Sequence, residues 1–387
     1  MKKRDVYAAS LVLHKKYSGK LEIASKVPLK NRADLTLAYT PGVGAVSRVI
    51  GKDKKLAEIY TLKSNTVAIV SDGSAILGLG NLGAEAAIPV MEGKAILFKA
   101  FANVDAFPIC LDTQDPDEIV ETVKRIAPVF GGINLEDISA PRCFEIEARL
   151  KKELKIPVMH DDQHGTATVV LAALINALKV RGLKKEKAKL VVNGAGAAGN
   201  AIAQLLLKFG FKSLILVDSK GAIYEGRPGL DKHKKKLAKL TNKRKVKGGL
   251  EESLKGADIF VGVSKAGLLT PKMIRMMNPK PIIFAMANPV PEIMPDEAKK
   301  AGAYIIATGR SDFPNQINNV LAFPGIFRGA LDHKVRDIMD EMLVKAAKNL
   351  AGIIKHPTRE RILPDVFDRT VVKAVARAIQ FDRIFEH

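Results

Sequence analysis

Two adjacent carboxylates, Asp161 and Asp162, stand between residues 156–159, which predict a short buried strand, and residues 165–178, which predict a buried helix. In open α/β sheets, ligands bind in the crevice at the carboxyl ends of the strands. Two negative charges at such a place need a metal ion, a lysine or a cationic substrate to hold them. The structural alternative is that Asp162 only serves as the N-cap of the helix.

A second acidic pair, Glu136 and Asp137, stands at the end of the preceding predicted strand, at residues 132–138. Because consecutive parallel strands usually lie near one another, both pairs are expected to meet at one crevice. Their carboxylates would repel one another unless a cation lay among them. No cysteine and no evenly spaced histidine pair accompanies them, so the sequence predicts Mg²⁺ or Mn²⁺ rather than zinc.

A glycine-rich pattern GxGxxG lies between a predicted strand at residues 190–193 and a predicted helix at residues 200–209. It consists of Gly194, Ala195, Gly196, Ala197, Ala198 and Gly199. The next predicted strand, residues 213–218, ends in Asp218, roughly 20 residues beyond the glycines, as a dinucleotide-binding fingerprint requires. The glycines would admit a pyrophosphate, and Asp218 would accept from a ribose 2′-hydroxyl. The sequence therefore predicts NAD, with NADP as an alternative because Lys220 weakens the preference.

Three further features have both a structural and a functional interpretation. Lys94 lies among small and apolar residues, where a lysine normally extends its amine to water. Tyr39 stands in a turn with Pro41 and two glycines, which expose backbone N–H groups. Asn288 and Asn318 follow predicted strands, where asparagine commonly makes turns. Beside a nicotinamide pocket, such asparagines would instead bind the carboxylate of a substrate.

The composition predicts a globular α/β protein of 387 residues with two or three domains. We expect an N-terminal α/β substrate and metal domain at residues 1–164, a Rossmann-type domain at 165–355, and a C-terminal helical segment at 356–387. Helices are expected at residues 335–354 and 365–381. No run of about 18 uncharged apolar residues occurs, so no membrane span and a cytoplasmic location are expected. The two cysteines lie outside any CxxC pattern, which argues against a disulfide scaffold.

The net charge of +21 is compatible with nucleic acid as a partner, and residues 232–247 carry the densest run of lysines. Neither interleaved aromatic residues nor helix-turn-helix or zinc-finger spacing accompanies that run. We therefore interpret it as a solvated helix and turn, and we expect no nucleic-acid partner. A positive surface would still attract anionic substrates.

Taken together, the motifs resemble those of the malic enzymes, in the same order and over most of the chain. They are YTPGVG (residues 39–44), LGLGNLG (77–83), GK (93–94), ED (136–137), HDDQHGTA (160–167), the fingerprint at 194–199, ANP (287–289) and NNVLAFPG (318–325). One departure is that Ser74 and Ala75 stand where larger members carry an arginine. The chain resembles the short form of the family, and the resemblance implies a homodimer.

The resemblance also implies a role for each matching residue. The metal ligands would be Glu136, Asp137 and Asp162; the general base Lys94, with Asp161 as its carboxylate partner; the general acid Tyr39; and the malate contacts Asn288 and Asn318, with Asn288 also beside the cofactor. Without the arginine, recognition of the substrate carboxylate would use Asn318, Asn319 and backbone N–H groups.

The implied reaction converts malate to pyruvate and carbon dioxide. Lys94, neutralised by burial and by the charge of the metal, would take the hydroxyl proton while hydride moves to NAD. Tyr39 would then protonate C3 after decarboxylation of oxaloacetate. Two other classes stay open: a dehydrogenase of hydroxy or amino acids that does not decarboxylate, and, more remotely, a nucleic-acid-binding protein.

Overall fold

The computed structural model describes residues 5–381, and in that range the strands form two sheets. The first sheet has the order β2-β1-β3-β4 and is parallel throughout. Its strands are β1 (Thr66–Ser71), β2 (Asp105–Cys110), β3 (Gly132–Leu135) and β4 (Val158–His160). β1 is buried along its whole length and apolar from Val67 to Val70, as expected for a parallel strand covered on both faces.

The second sheet has the order β10-β9-β8-β5-β6-β7, and in it only the short β7 runs antiparallel among the described strands. Its strands are β5 (Lys189–Asn193), β6 (Ser213–Asp218), β7 (Gly221–Ala222), β8 (Ile259–Gly262), β9 (Ile282–Ala285) and β10 (Ile305–Thr308). The order reverses between β5 and β8, which is the switch point where a doubly wound sheet binds its ligand. The predicted α/β class with a Rossmann-type second unit is confirmed.

Helices cover the faces of both sheets. We call the part of the chain that builds the first sheet the first unit and the part that builds the second sheet the second unit. The helices of the first unit are α1 (Val6–Tyr17), α2 (Arg32–Ala38), α3 (Val43–Lys52), α4 (Ala57–Tyr60), α5 (Ala84–Ala102), α6 (Pro116–Ile126) and α7 (Arg142–Glu153). The helices that follow are α8 (Asp161–Arg181), α9 (Ala197–Phe209), α10 (Lys232–Leu240), α11 (Leu250–Leu254), α12 (Pro271–Arg275), α13 (Pro295–Lys300), α14 (Phe323–Asp332), α15 (Asp340–Ala351) and α16 (Thr370–Ala376). None of the helices within residues 5–381 has the length and apolar character needed to cross a membrane.

The long helix α8 joins the two units. It is apolar nearly all round and packs against α9 and α15, as a helix in the centre of a core does. One apolar cluster includes Val67 of β1, Leu171 of α8 and Val192 of β5, so both sheets share this core. The expected domain boundary at residue 164 falls inside α8, and the division into domains stays a prediction.

Several predicted helix boundaries were wrong. α8 begins at Asp161 rather than at residue 165, and its N-cap is His160, not Asp162. Both acids therefore occupy the first turn, where the helix dipole favours negative charge. α9 likewise begins inside the glycine pattern, and α15 and α16 are shorter than the helices predicted at 335–354 and 365–381.

Residues 5–65 lie on the outside of the first unit, and none of them is buried. Lys20 attaches this segment to α5 through its ammonium group, which donates to the Pro89 carbonyl at 2.6 Å. Lys26 forms an ion pair with Asp105 of β2 at 3.1 Å. Large apolar side chains, among them Leu11, Ile23 and Leu37, are exposed along the segment.

Candidate active site

Four carboxylates meet at the carboxyl edge of the first sheet. β3 and β4 are neighbours, and their register pairs Leu135 with His160. The residues that follow these two positions are therefore brought to the same edge, which confirms the expected convergence of the acidic pairs. The ligand atoms of Glu136, Asp137 and Asp162 lie within 4.8 Å of one another.

This cluster fits a divalent cation. Burial, together with the charge of Asp162, raises the pKa of Asp137 to about 8, and burial raises the pKa of Glu136 well above its usual range. Oδ2 of Asp137 is buried and has no hydrogen-bond partner in the described part of the chain. These acids resist ionisation without a cation, and oxygen donors of this kind suit Mg²⁺ or Mn²⁺.

Lys94 of α5 extends into the cluster rather than to water, so the solvent-exposed alternative was wrong. Its side chain is 8% exposed, and its ammonium group lies 2.5 Å from Asp161 Oδ2 and 2.7 Å from Glu136 Oε1. The same group lies 4.3 Å from the centre of the Phe323 ring. Lys94 thus has two carboxylate partners and an aromatic face around one amine.

The predicted neutral Lys94 depends on burial together with the charge of a metal, and burial alone does not produce it. Burial does act to lower its pKa, but the carboxylates of Asp161 and Glu136 outweigh burial and raise the pKa above its ordinary value. For Asp161, burial raises the pKa to about 6, although Lys94 opposes the shift. Gly165 leaves room for this pair, because a Cβ atom there would lie 1.8 Å from Asp161 Oδ1.

Asparagines from the second unit lie near the glycine loop after β1 and near α8. Gly78, in the glycine loop after β1, has φ +76°, and a Cβ atom there would lie 2.7 Å from the carbonyl oxygen of Asn288, which follows β9. Asn318 caps a short turn by accepting from Val320 N at 2.9 Å. The next residue, Asn319, lies near Gly165 of α8, since a Cβ atom there would be 3.5 Å from Asn319 Cβ. Asn288 thus lies against the glycine loop after β1, whereas the described contact of Asn318 is its cap of the turn, and substrate binding by either asparagine stays a prediction.

The glycine pattern lies at the switch point of the second sheet, with Ala197 and Ala198 as the first residues of α9. Gly199 must be glycine, since a Cβ atom there would lie 1.7 Å from the carbonyl oxygen of Gly194. A cavity of about 350 Å³ opens in front of it. Its lining includes Gly194, Ala195, Gly196, Asp218 and, from the first unit, Phe144. Phe144 stacks on His233 with ring centres 4.4 Å apart, which brings the two units together beside the cavity.

Asp218 is not a free carboxylate. Arg227 donates to both of its oxygens, at 2.9 and 2.5 Å, and Lys234 Nζ lies at 2.9 Å. Burial acts to raise the pKa of Asp218, but the bonds from Arg227 and Lys234 lower it to about 2. Arg227 belongs to no motif and was not predicted, and Lys234, which was predicted to lie in a solvated run, instead pairs with Asp218. The predicted selection of NAD assumed an isolated acid, whereas Asp218 is paired with two cationic side chains.

Tyr39, the predicted general acid, is 66% exposed at the C-terminal end of α2. Within residues 5–381 its hydroxyl has no hydrogen bond to the acidic cluster, and none to any other group. The structure thus assembles Lys94, Asp161 and the three carboxylates of the predicted metal site in one chain, but does not join Tyr39 to them by a hydrogen bond.

An arginine does approach Ser74 and Ala75, although neither position is itself arginine. Arg142, the first residue of α7, donates to Asp72 Oδ2 at 3.2 Å. The other oxygen of Asp72 accepts from the Ser74 hydroxyl at 2.6 Å. Sequence inspection missed this link because the two positions lie 70 residues apart.

A Rossmann-type sheet facing a lysine and carboxylate cluster defines a dinucleotide-binding dehydrogenase of two α/β units. Residues 18–151 match the model of the malic enzyme N-terminal domain, and residues 163–382 match that of the malic enzyme NAD-binding domain. The chain belongs to the malic enzyme family.

Known relatives agree with this assignment. The chain is 56% identical to the bifunctional malic/malolactic enzyme of Bacillus subtilis, over 96% of this chain and 91% of the relative. It is 54% identical to the NAD-dependent malic enzyme of Geobacillus stearothermophilus, over 93% of this chain and 76% of the relative. Among solved structures, the NAD-dependent malic enzyme of Thermotoga maritima superposes with a TM-score of 0.93 at 50% identity, covering 96% of this chain and 98% of that one.

Proposed function

We propose that this protein oxidises and decarboxylates malate to pyruvate and carbon dioxide, with reduction of NAD or NADP and with a divalent cation. The observation that carries the proposal is the cluster of Glu136, Asp137 and Asp162 around buried Lys94, in a chain that also holds a dinucleotide fingerprint with its own cavity. A dehydrogenase that only transfers hydride does not need three such ligands. The names of the relatives, which include NAD-dependent and NADP-dependent malic enzymes, support the same reaction.

The roles proposed for Lys94 and Asp161 rest on their placement, and those proposed for Tyr39, Asn288 and Asn318 rest on the resemblance to the malic enzymes. Lys94 accepts the C2 hydroxyl proton as hydride leaves C2 for the nicotinamide, and Asp161 holds the amine in position. After carbon dioxide departs, Tyr39 gives a proton to C3, so that the products are pyruvate and the reduced cofactor. Asn288 and Asn318 contact the substrate. Glu136, Asp137 and Asp162 would hold the divalent cation, which when bound would act as a Lewis acid toward the substrate.

Removal of the metal tests this function. Incubation with malate, Mn²⁺ and NAD or NADP should produce reduced cofactor and pyruvate in equal amounts, measured together by absorbance and by chromatography. A chelator should stop both, and added Mn²⁺ should restore both, since the carboxylates hold the ion reversibly. Reduced cofactor without pyruvate, or turnover that survives the chelator, would favour the hydroxy- or amino-acid dehydrogenase instead.

Charge at the ribose end of the cofactor cavity gives a second prediction. The carboxylate of Asp218 repels a 2′-phosphate. Arg227 and Lys234, which pair with that carboxylate, could bind a phosphate in its place. Asp218→Asn should therefore raise the NADP to NAD ratio of kcat/KM by about 10-fold, the size of one charge-assisted hydrogen bond. Asp231→Asn is the control, because Asp231 also lines the cavity and lies 4.0 Å from Lys234 without bonding Arg227. An unchanged ratio in Asp218→Asn would contradict the assignment.

The exposed apolar segment at residues 5–65 supports a homodimer. Apolar surface of this extent is uncommon on a protein that acts alone, and a symmetric contact would cover it on both copies. We propose that in such a dimer Tyr39 serves the cluster of the second copy, and its 66% exposure within one chain leaves it accessible for that role. A cytoplasmic location and the absence of a nucleic-acid partner stay predictions from the sequence.

A further inference from the structure

A buried glutamate lies behind the acidic cluster. Glu147 belongs to α7, whose buried face otherwise consists of Cys143, Ile146 and Leu150. Its carboxylate accepts from His160 N at 3.0 Å and lies 3.2 Å from Gln163 Nε2 and 2.9 Å from His164 Nε2. A carboxylate is rarely placed on an apolar helix face unless several groups bind it.

The three groups that Glu147 binds enclose Asp161 and Asp162 in the chain. His160 is the last residue of β4, and Gln163 and His164 complete the first turn of α8. Glu147 therefore fixes the segment 160–164 from both ends, without a hydrogen bond to either acid. Glu147 can therefore act on these acids through the backbone of the segment, and also through His160, whose Nδ1 lies 3.8 Å from Asp162 Oδ2.

The direction of the first turn of α8 matters for both acids. Neighbouring side chains on a helix point about 100° apart, and here Asp161 points to Lys94 while Asp162 accepts from Asp137 N at 2.9 Å. A small rotation of this turn would withdraw both carboxylates from their partners. Burial acts to raise the pKa of Glu147, but His164 and Lys151 hold it below its ordinary value, so this acceptor stays ionised.

We propose that Glu147 is a positioning residue that holds the first turn of α8 so that Asp162 faces the other two metal ligands and Asp161 faces Lys94. This inference rests on the proposed metal-dependent function. It assigns to Glu147 a contribution to cation affinity, whereas a glutamate that only stabilises α7 would leave that affinity unchanged.

The test compares Glu147→Gln with Glu145→Gln, a change of the same kind on the same helix at a solvent-exposed carboxylate. The NH₂ group of the new amide would replace one acceptor oxygen and would face the N–H donor of Gln163 or His164, so that one hydrogen bond would be lost. The dissociation constant for Mn²⁺ is measured without malate, and that for NAD in parallel. Glu147→Gln should raise the Mn²⁺ constant about 10- to 100-fold, the usual effect of losing a group that supports metal ligands, and leave the NAD constant unchanged.

A second variant keeps the test decisive if Glu147→Gln does not fold. Gln163→Leu removes one donor but retains the carboxylate, and it should weaken Mn²⁺ binding in the same direction by a smaller factor. Wild-type Mn²⁺ affinity in a folded Glu147→Gln protein, or in Gln163→Leu when Glu147→Gln does not fold, would overturn the positioning role alone. Failure of the wild-type protein to bind Mn²⁺ would overturn the proposed function and this inference with it.

Discussion

Lys94→Ala should lose malate oxidation by about 10²- to 10⁴-fold, which is the usual contribution of a general base. The reason is the position of the amine, which shares Asp161 and Glu136 as partners and lies inside the predicted metal cluster. NAD binding should be unchanged, because the fingerprint lies on α9 and β5 of the other unit. The measurement is kcat/KM for malate at saturating Mn²⁺, together with the NAD dissociation constant.

Lys99→Ala is the matched control, since Lys99 lies on the same helix but pairs with Asp105 at a more exposed site. Removal of Lys94 also leaves two buried acids without their cation, so Mn²⁺ affinity must be measured for each variant. Added small amines should restore part of the activity of Lys94→Ala by occupying the space of the lost group. Oxidation at the wild-type rate in Lys94→Ala would exclude Lys94 as the base.

The charge of Lys94 has a consequence for the order of events. A general base must be neutral when the substrate hydroxyl arrives, and the two carboxylates raise the pKa of Lys94 in the absence of metal. Glu136 serves both the amine and the metal site, so cation binding and the charge of Lys94 are coupled through one side chain. Malate should consequently be oxidised only by protein that already carries its cation.

The sequence predicted those parts of the site that depend on local order. Glu136 and Asp137 directly follow one buried strand, and Asp161 and Asp162 directly follow the next, so parallel pairing was enough to bring them together. The glycine fingerprint was equally recognisable, because its spacing reflects one strand, one turn and one helix. The start of α8 could not be predicted, since nothing in the sequence showed that His160 rather than Asp162 would be the N-cap.

Other parts depend on contacts between distant positions and could not be predicted. Glu147 stands in a helix rich in charged residues, where a glutamate is expected at the surface, and only the packing of α7 shows that it is buried. Arg227 carried no motif, yet it binds Asp218 through both oxygens. If a second copy covers residues 5–65, the groups around Tyr39 belong to that copy, and a single chain does not show them.

Tyr39→Phe should lose pyruvate formation by about 10²- to 10⁴-fold, because a positioned general acid contributes that much to a proton transfer. Mn²⁺ and NAD affinities should stay at wild-type values, since Tyr39 has no hydrogen bond to either site in the described part of the chain. Exchange of the pyruvate methyl protons with heavy water, followed by NMR, isolates the step at C3. Tyr39→Phe should lose this exchange, whereas full exchange there and its loss in Lys94→Ala would reverse the two roles.

Mixed dimers test whether Tyr39 acts in the second copy. When Tyr39→Phe and Lys94→Ala chains are coexpressed with different tags, random pairing makes half of the molecules mixed, as expected for a symmetric dimer. In each mixed dimer, the wild-type Tyr39 of one chain meets the wild-type Lys94 of the other at one site. About a quarter of all sites should then be active, although either variant alone is inactive. If Tyr39 served its own chain, both sites of a mixed dimer would lack one residue, and activity would not recover.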